Sequence, residues 1–294
     1  MKKIGFILIS VLLLCSGCSK VKQALGFDKD QQLSDSTEVT DENNTIAEQE
    51  LTKVSFCSVD SIVRLSAQIP KFDNDVLNDS VWAYITMNFS NLEEAYAKNH
   101  DVKAAFEEAG KQYWEGMSAE IEGMKEEVRS NMEEGDEFPD YMFNWEYSND
   151  IILEDVTDTY VTFVDDGYQY QGGAHGIGWL VGATFDKQTG KRLNAENILK
   201  DPDGAGFQQL LKDGLTEYFS ETCDEEGCEL KDCLFDDPDE VTIPVGNMRI
   251  YKGTFIIQYQ SYEIAAYVYG KPVVILTFDQ IKPFLTEEGL KYIK

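Results

Sequence analysis

The spacing of apolar residues along this chain changes several times, and each change marks an element. "MKKIGFILISVLLLCSGCSK" opens with a basic pair, runs uncharged and apolar from Ile4 to Leu14, and ends in small residues before Cys18. That run is too short to span a membrane as a mature helix and has the order of a secretory leader. After Phe27 large apolar residues almost vanish until Leu51, so this stretch cannot bury enough surface to offset its chain entropy and reads as a flexible stalk. "LTKVSFCSVDSIVRLSAQIPKF" is rich in Val, Ile and Phe with partial alternation, which predicts one or two strands closed at Pro70. The period then lengthens to three and four, and Val76, Leu77, Val81, Tyr84, Ile85 and Phe89 line one face of a helix. A second helical stretch follows Asn99 and His100, with Trp114, Met117, Ile121, Met124 and Val128 as its inward stripe.

From Tyr141 the pattern turns aromatic and β-branched, cut by turns, and predicts strands over "YMFNWEYSNDII", "DTYVTFVDDGYQYQ" and "GWLVGATFD". "DKQTGK" (186–191) is a hairpin signal, with Gly190 at the left-handed position. "NAENIL" predicts a short helix capped by Asn194, and "GFQQLLKDGLTEYFS" a longer one buried through Phe207, Leu210, Leu211, Leu215 and Phe219. The chain closes with a hairpin turning at Lys252 and Gly253, a strand "KPVVILTFDQI" and a terminal helix "TEEGLKYI". The fold class is therefore α+β, a mostly antiparallel sheet packed with helices, the helices clustered in the N-terminal half and the strands in the C-terminal half.

Charge narrows the partners. The chain carries 54 acidic and 25 basic residues, for a formal charge of -29, and loss of the leader removes Lys2 and Lys3 and no acid, which brings it to -31. Such a field repels nucleic acid and anionic bilayers and steers a cationic partner inward, and it also keeps an exported protein soluble. Four cysteines remain beyond Cys18: Cys57, Cys223, Cys228 and Cys233. An even count in an exported chain predicts at least one local disulfide among Cys223, Cys228 and Cys233, with the pairing left open. The five-residue steps of "CDEEGCELKDC" are not zinc spacing.

The stretch "YQYQGGAHGIGWLV" concentrates four glycines and His175. A phosphate loop needs a helix directly after its glycines, and here a strand follows, so the glycines suit a tight connection between strands. Histidine is a residue type suited to general-base work, which makes His175 a candidate, yet no Gly-x-Ser-x-Gly elbow supplies a nucleophile, and His100 reads as a cap or surface residue. Acidic pairs are too numerous for any one to be nominated as glycosidase acid and base. "DPDGAG" (201–206) has some spacing of a calcium loop, but Leu199 and Leu210 stand where both end ligands belong. No catalytic residue, metal or cofactor is therefore assigned. Tyr259, Tyr262, Tyr267 and Tyr269 form an aromatic cluster suited either to recognition or to cross-strand packing.

Three features occur in one order: the Gly-Gly-Ala-His turn, the Thr-Gly-Lys turn followed by a short helix, and the Tyr-Glu-Ile-Ala-x-Tyr segment. With them the chain resembles the exported domain family found in the extracellular part of lysozyme-sensing anti-sigma factors and beside the catalytic domain of some peptidoglycan deacetylases. "AQIPKFDNDVLNDSVWAYI" is similar to the start of the companion domain that precedes it. The resemblance runs from about Val54 to the C-terminus, most closely from Asp158, and departs where Ala266 replaces a frequent proline. With the leader and stalk read from the residues themselves, the expected organisation is a signal peptide (1–17), a lipid-anchored flexible stalk (18–50), an N-terminal companion α+β region (51–157) and a C-terminal α+β domain (158–294), the last two as the resemblance implies. The resemblance also implies binding without catalysis, one branch of the family binding lysozyme.

The resulting expectation is a lipoprotein at the outer membrane or cell surface, held to the membrane through its N-terminal lipid only. Its partner is a cationic protein such as lysozyme or a cell-wall fragment, not nucleic acid. The candidate binding residues are Gly172, Gly173, His175, Gly176, Tyr262, Glu263, Tyr267 and Tyr269. The alternative is an envelope hydrolase or carbohydrate-processing enzyme that uses His175 or a carboxylate pair. Ser16 and Gly17 before Cys18 resemble a lipobox, so mass spectrometry of membrane-extracted protein is expected to find a lipid-bearing peptide beginning at Cys18, and Cys18→Ala is expected to lose it.

Overall fold

The structure is a computed structural model that describes residues 51–223, 229–244 and 246–293; the leader, Cys18, the stalk and Cys228 lie outside the described residues. It is α+β, and its strands form one six-stranded and one three-stranded sheet. β1 (Leu51–Cys57) and β2 (Val63–Pro70) make an antiparallel hairpin. The chain then crosses over through α1 (Asp75–Asn88), α2 (Leu92–Asn99) and α3 (Val102–Asn131) and returns as β3 (Glu146–Val156), parallel to β2. A parallel pair requires such a crossover, and the helices provide it. β4 (Tyr160–Tyr170), β5 (Ile177–Asp186) and the two-residue β6 (Arg192–Leu193) complete the sheet as an antiparallel meander, in spatial order β1 to β6.

Capping sets where the helices begin. The Asn74 side chain accepts from the amides of Val76 and Leu77, while its Nδ2 donates to the carbonyls of Lys187 and Gln188. One residue thus starts α1 and ties it to the β5–β6 hairpin, whose turn is closed by Asp186 and by Gly190 at φ 69°. His100 ends α2 in the left-handed conformation, its amide donating to the Tyr96 carbonyl. Leu77, Val81, Tyr84 and Ile85 of α1 and Ala105, Phe106, Ala109, Met117 and Ile121 of α3 pack on one face of the sheet against Ile151, Phe163, Ala183 and Phe185.

A second core forms where α5 (Ala205–Thr222) covers the sheet of β7 (Met248–Tyr251), β8 (Thr254–Gln258) and β9 (Val273–Thr277). Short helices α4 (Ala195–Ile198), α6 (Leu230–Cys233) and α7 (Phe278–Ile281) close its edges. Between the two sheets the contacts are polar. The Thr162 hydroxyl donates to the Ile250 carbonyl at 2.7 Å, the Ile250 amide donates to Thr184 at 2.9 Å, and the two hydroxyls lie 2.9 Å apart. Arg249 is fully buried there, its Nε donating to Glu154 at 2.9 Å. Burial pushes the Glu154 carboxyl up, against the opposing pull of Arg249.

Several expectations are corrected. Helices are not confined to the N-terminal half, because the 18-residue α5 lies in the C-terminal half. Met124 is exposed, while Val128, one turn further along α3, is half-buried against the core. The end of "KPVVILTFDQI" is helical, because Thr277 and Gln280 form a capping box that starts α7. "TEEGLKYI" forms only a 3₁₀ turn at Gly289–Lys291, where Gly289 lies so close to the Ile198 carbonyl that a Cβ would stand 2.6 Å from it. Of the pairings open to the expected local disulfide, Cys223 with Cys233 is not formed, and those through Cys228 lie outside the described residues; Cys233 is buried with its thiol towards the Glu229 carbonyl. β3 and β4, on either side of residues 157 and 158, pair antiparallel in the six-stranded sheet.

Gly182 is the residue that lets the sheets approach, because a Cβ there would stand 2.3 Å from Cδ of Arg249. Gly182→Ala is expected to cost about 1–3 kcal/mol by overpacking this fully buried contact. Gly116→Ala, which meets nothing within 4 Å in α3, is expected to gain up to about 1 kcal/mol. Urea unfolding of both variants checks the contrast.

Candidate functional site

The connection between β4 and β5 is built by its glycines. Gly172 and Gly173 take φ of 86° and 97°, which favours glycine, and a Cβ on Gly172 would stand 2.8 Å from the Met142 carbonyl oxygen. Gly176 is buried against Tyr168, where a Cβ would stand 2.3 Å from the phenolic oxygen. The Tyr170 hydroxyl donates to the Gly173 carbonyl at 3.0 Å. β5 starts at Ile177, so the chain leaves this turn as a strand, with no helix terminus to hold an anion.

The segment after β8 docks on this turn. Gln260 lies beside β5 as a surrogate strand: its Oε1 accepts from the Leu180 amide at 3.0 Å and its Nε2 donates to the Leu180 carbonyl at 2.8 Å. Tyr262 follows in a left-handed conformation at φ 67°, and the chain then turns through Tyr267–Tyr269. The His175 ring stacks on Tyr267 with centroids 4.0 Å apart and planes at 16°. Tyr267 donates its hydroxyl to the Gly176 carbonyl at 3.0 Å, and Tyr262 places its hydroxyl 3.2 Å from Nε2 of His175. Nδ1 of His175 lies 3.1 Å from the Gly176 carbonyl, which can only accept. Nδ1 therefore carries the hydrogen, and in the neutral ring Nε2 accepts from Tyr262.

Two segments almost ninety residues apart thus build one aromatic platform, its outer edge formed by Tyr262 at 48% exposure, with Ile177 and Val268 also exposed nearby in sequence. Both ring nitrogens of His175 are engaged in holding it. Glu263 sits at the rim of the turn, its carboxylate accepting from the Gln260 amide at 2.7 Å. Tyr269 is turned away: it packs edge-on to Phe219 at 5.3 Å, against the second core. Tyr259 is fully buried there and donates to the Thr242 carbonyl. Among the described residues no three His, Cys, Asp or Glu converge as a metal site.

Sequence reading passed over Gln260 and Asn247, which dock this segment on the edge of β5, and over Trp179 and Asp165 on the other face of the sheet. On the helix-covered face of the sheet, Trp179 lies across Gly167 of β4, where a Cβ would be 2.0 Å from the indole. Its Nε1 donates to the Asp165 carboxylate at 3.0 Å. Asp165 is only 4% exposed and makes no ion pair among the described residues. Burial pushes its carboxyl up to about 6; the Trp179 bond opposes that rise, and the negative charges of Asp166 and Asp150 add to it.

No family model matches the chain, and no curated protein does. Among solved structures it is similar to a member of the DUF3298 family from Bacteroides fragilis, at 17% identity and a TM-score of 0.61, covering 82% of this chain and 95% of that one. A DUF3298 family protein from Pseudomonas aeruginosa aligns at 13% identity and a TM-score of 0.47, over 81% of this chain and 92% of that one. The fold is of the DUF3298 type. Among the described residues no helix is long and apolar enough to cross a membrane.

Asp165 has a stability consequence with a definite sign. Its folded pKa lies above the ordinary value of 3.8, so the unfolded chain releases this proton first, and stability is lost as pH rises from about 4 to about 6. A shift of this size corresponds to about 3 kcal/mol. Asp165→Asn keeps an oxygen for the Trp179 N–H and is expected to be more stable than the wild type by roughly that order at pH 7.5 and no more stable at pH 4. Denaturant midpoints at the two pH values check it.

Proposed function

We propose that this protein is a lipid-anchored binding protein of the cell envelope and that the platform of His175, Tyr262 and Tyr267 is its recognition surface. The observation that carries the reading is the stack itself. Its side chains come from two distant segments, its polar atoms are spent on holding its shape, and Tyr262 is left with a half-exposed aromatic face. Tyrosine is cheap to order at an interface, and a rigid aromatic group is a common anchor of binding energy. The same engagement weighs against the hydrolase reading, since a general base needs a nitrogen available to a nucleophile and His175 has Nδ1 on the Gly176 carbonyl and Nε2 on the Tyr262 hydroxyl.

The partner that suits this surface is a cationic protein such as lysozyme. The formal charge of -31 on the mature chain would draw such a protein in from a distance, and the tyrosines would hold it at contact. The resemblance to the extracellular parts of anti-sigma factors and to regions beside peptidoglycan deacetylases supports an envelope setting, with cell-wall fragments as the other ligand class.

The two roles separate kinetically. Association with a basic lysozyme is expected to slow as salt shortens the Debye length to about 8 Å. Tyr262→Ala is expected to leave association unchanged and to speed dissociation about 30-fold, the equivalent of about 2 kcal/mol for one aromatic anchor. Surface-binding kinetics at low and high salt measures both. Absence of binding to basic lysozymes and to peptidoglycan fragments at low salt overturns the reading, and turnover of a cell-wall substrate that vanishes in His175→Ala replaces it with the hydrolase.

A further inference from the structure

The segment that carries the platform tyrosines has a second neighbour. Between β8 and β9 the chain makes an excursion over residues 260–270, and the stretch after α6 pairs with it. Leu234 bridges Ala265 in antiparallel fashion, and the Phe235 amide donates to the Ile264 carbonyl at 2.9 Å. Leu234 and Ala265 are both buried in the second core. Side chains alternate along an extended pair, so the next residue, Phe235, turns outward, and it is 56% exposed. Val268 is 83% exposed in the Tyr267–Tyr269 turn, whose two tyrosines are held on different partners, Tyr267 on His175 and Tyr269 on Phe219.

Large apolar side chains exposed singly are ordinary on a protein surface. Phe235, Tyr262 and Val268 are not single: all three stand on one excursion and the stretch bridged to it. Backbone bonds fix that excursion at both ends of its exposed part, the Glu263 amide donating to the Gln260 carbonyl at 3.1 Å and the Tyr269 amide to the Ala266 carbonyl at 3.0 Å. Apolar side chains on a backbone already held in place lose little entropy when a partner covers them, which suits them to anchor an interface.

Charge selects the partner. Asp236 and Asp237 follow Phe235 directly and are exposed, as is Glu263 on the excursion. On the β5 side the amine of Lys271 lies over Gly178, so the acid gathers at the Phe235 end. An anionic bilayer or a second copy of this acidic chain is repelled. A glycan seeks hydrogen-bond partners that the side chains of Phe235 and Val268 lack. An apolar centre with an acidic rim matches a protein surface with an apolar pocket and a basic rim. We propose that Phe235, with Val268 and the carboxylates of Asp236 and Asp237, forms a second docking site for a basic protein, which takes the Phe235 ring into an apolar pocket edged by lysine or arginine. The proposal rests on the reading of the platform as a recognition surface and adds a second anchor to it.

The test is surface-binding kinetics of the full chain against a basic lysozyme, with the Tm of each variant as the control for folding. Phe235→Ala removes an outward ring, so its Tm is expected to match the wild type while dissociation speeds about 10-fold. Asp237 accepts from the Asp239 amide, and asparagine keeps that acceptor. Asp236→Asn with Asp237→Asn is expected to slow association about 3-fold at low salt and to leave dissociation unchanged. Asp73→Asn with Asp79→Asn removes the same charge at the other end of β5, where Asn74 is tied to Lys187, and is expected to slow association less. Wild-type dissociation in Phe235→Ala beside faster dissociation in Tyr262→Ala overturns this inference and leaves the platform reading standing. Faster dissociation in Phe235→Ala alone keeps the Phe235 site and overturns the platform. Equal slowing by the two charge variants removes Asp236 and Asp237 from the site, and no binding by the wild type at low salt overturns both readings.

Discussion

The tertiary arrangement depends on how the outer edge of β5 is sealed. β6 pairs only with Thr184 and Phe185, so the backbone groups of Leu180 and Gly182 face outward without a neighbouring strand. Three side chains supply the missing ladder. Gln260 makes both of its bonds to Leu180, Asn247 accepts from the Gly182 amide at 2.9 Å and donates to the Leu180 carbonyl, and Arg192 donates to the Gly182 carbonyl at 3.0 Å. Unpaired backbone groups at a buried edge cost about as much as lost hydrogen bonds, so docking the second sheet and its following segment is a condition for the first sheet to be complete. The same contacts that close the edge carry Tyr262 and Tyr267 to His175.

That arrangement also explains why the space between the sheets is polar. Each sheet has its apolar burial elsewhere, one against α1 and α3 and the other against α5. The surface where they meet is stitched by Thr162, Thr184, Asn247 and the Arg249–Glu154 pair. Directional bonds of this kind set the relative position of two layers more narrowly than a greasy contact would, because a shift of one residue strands several buried donors at once. Gly182 and Gly167 serve that closeness on opposite faces of one sheet, the first accommodating Arg249 and the second Trp179.

The platform inherits its rigidity from this framework. The Gly176 carbonyl lies within hydrogen-bond reach of both Tyr267 and the His175 ring, and the buried Gly176 can sit against Tyr168 only because it has no Cβ. A preorganised aromatic surface loses little entropy on binding, so its affinity is limited mainly by the fit of the partner. The acidity of the chain acts at longer range and on a different step, the encounter.

The local part of this architecture was legible in the sequence. The change of period before Val76 and again near Tyr141, the capping residue Asn194, and the hairpins at Gly190 and Gly253 are short-range signals, and each appears where backbone conformation is decided within a few residues. The glycine turn and the tyrosine segment were also visible as candidates, because positive φ and aromatic clustering leave compositional marks. Contact between them was not visible. It rests on Gln260 and Asn247, two amides with no periodic signature, bonding to a strand edge that exists only because β6 is short. Asp165 was hidden for a similar reason: it lies in a strand and reads as an ordinary polar position of an alternating pattern, and only the helices laid over that face turn it into a buried group that needs a partner. Tyr269 makes the same point in the opposite direction. In sequence it belongs with Tyr262 and Tyr267, and the turn between them sends its ring into the second core, because tertiary packing, not spacing, determines which side of a turn a side chain occupies.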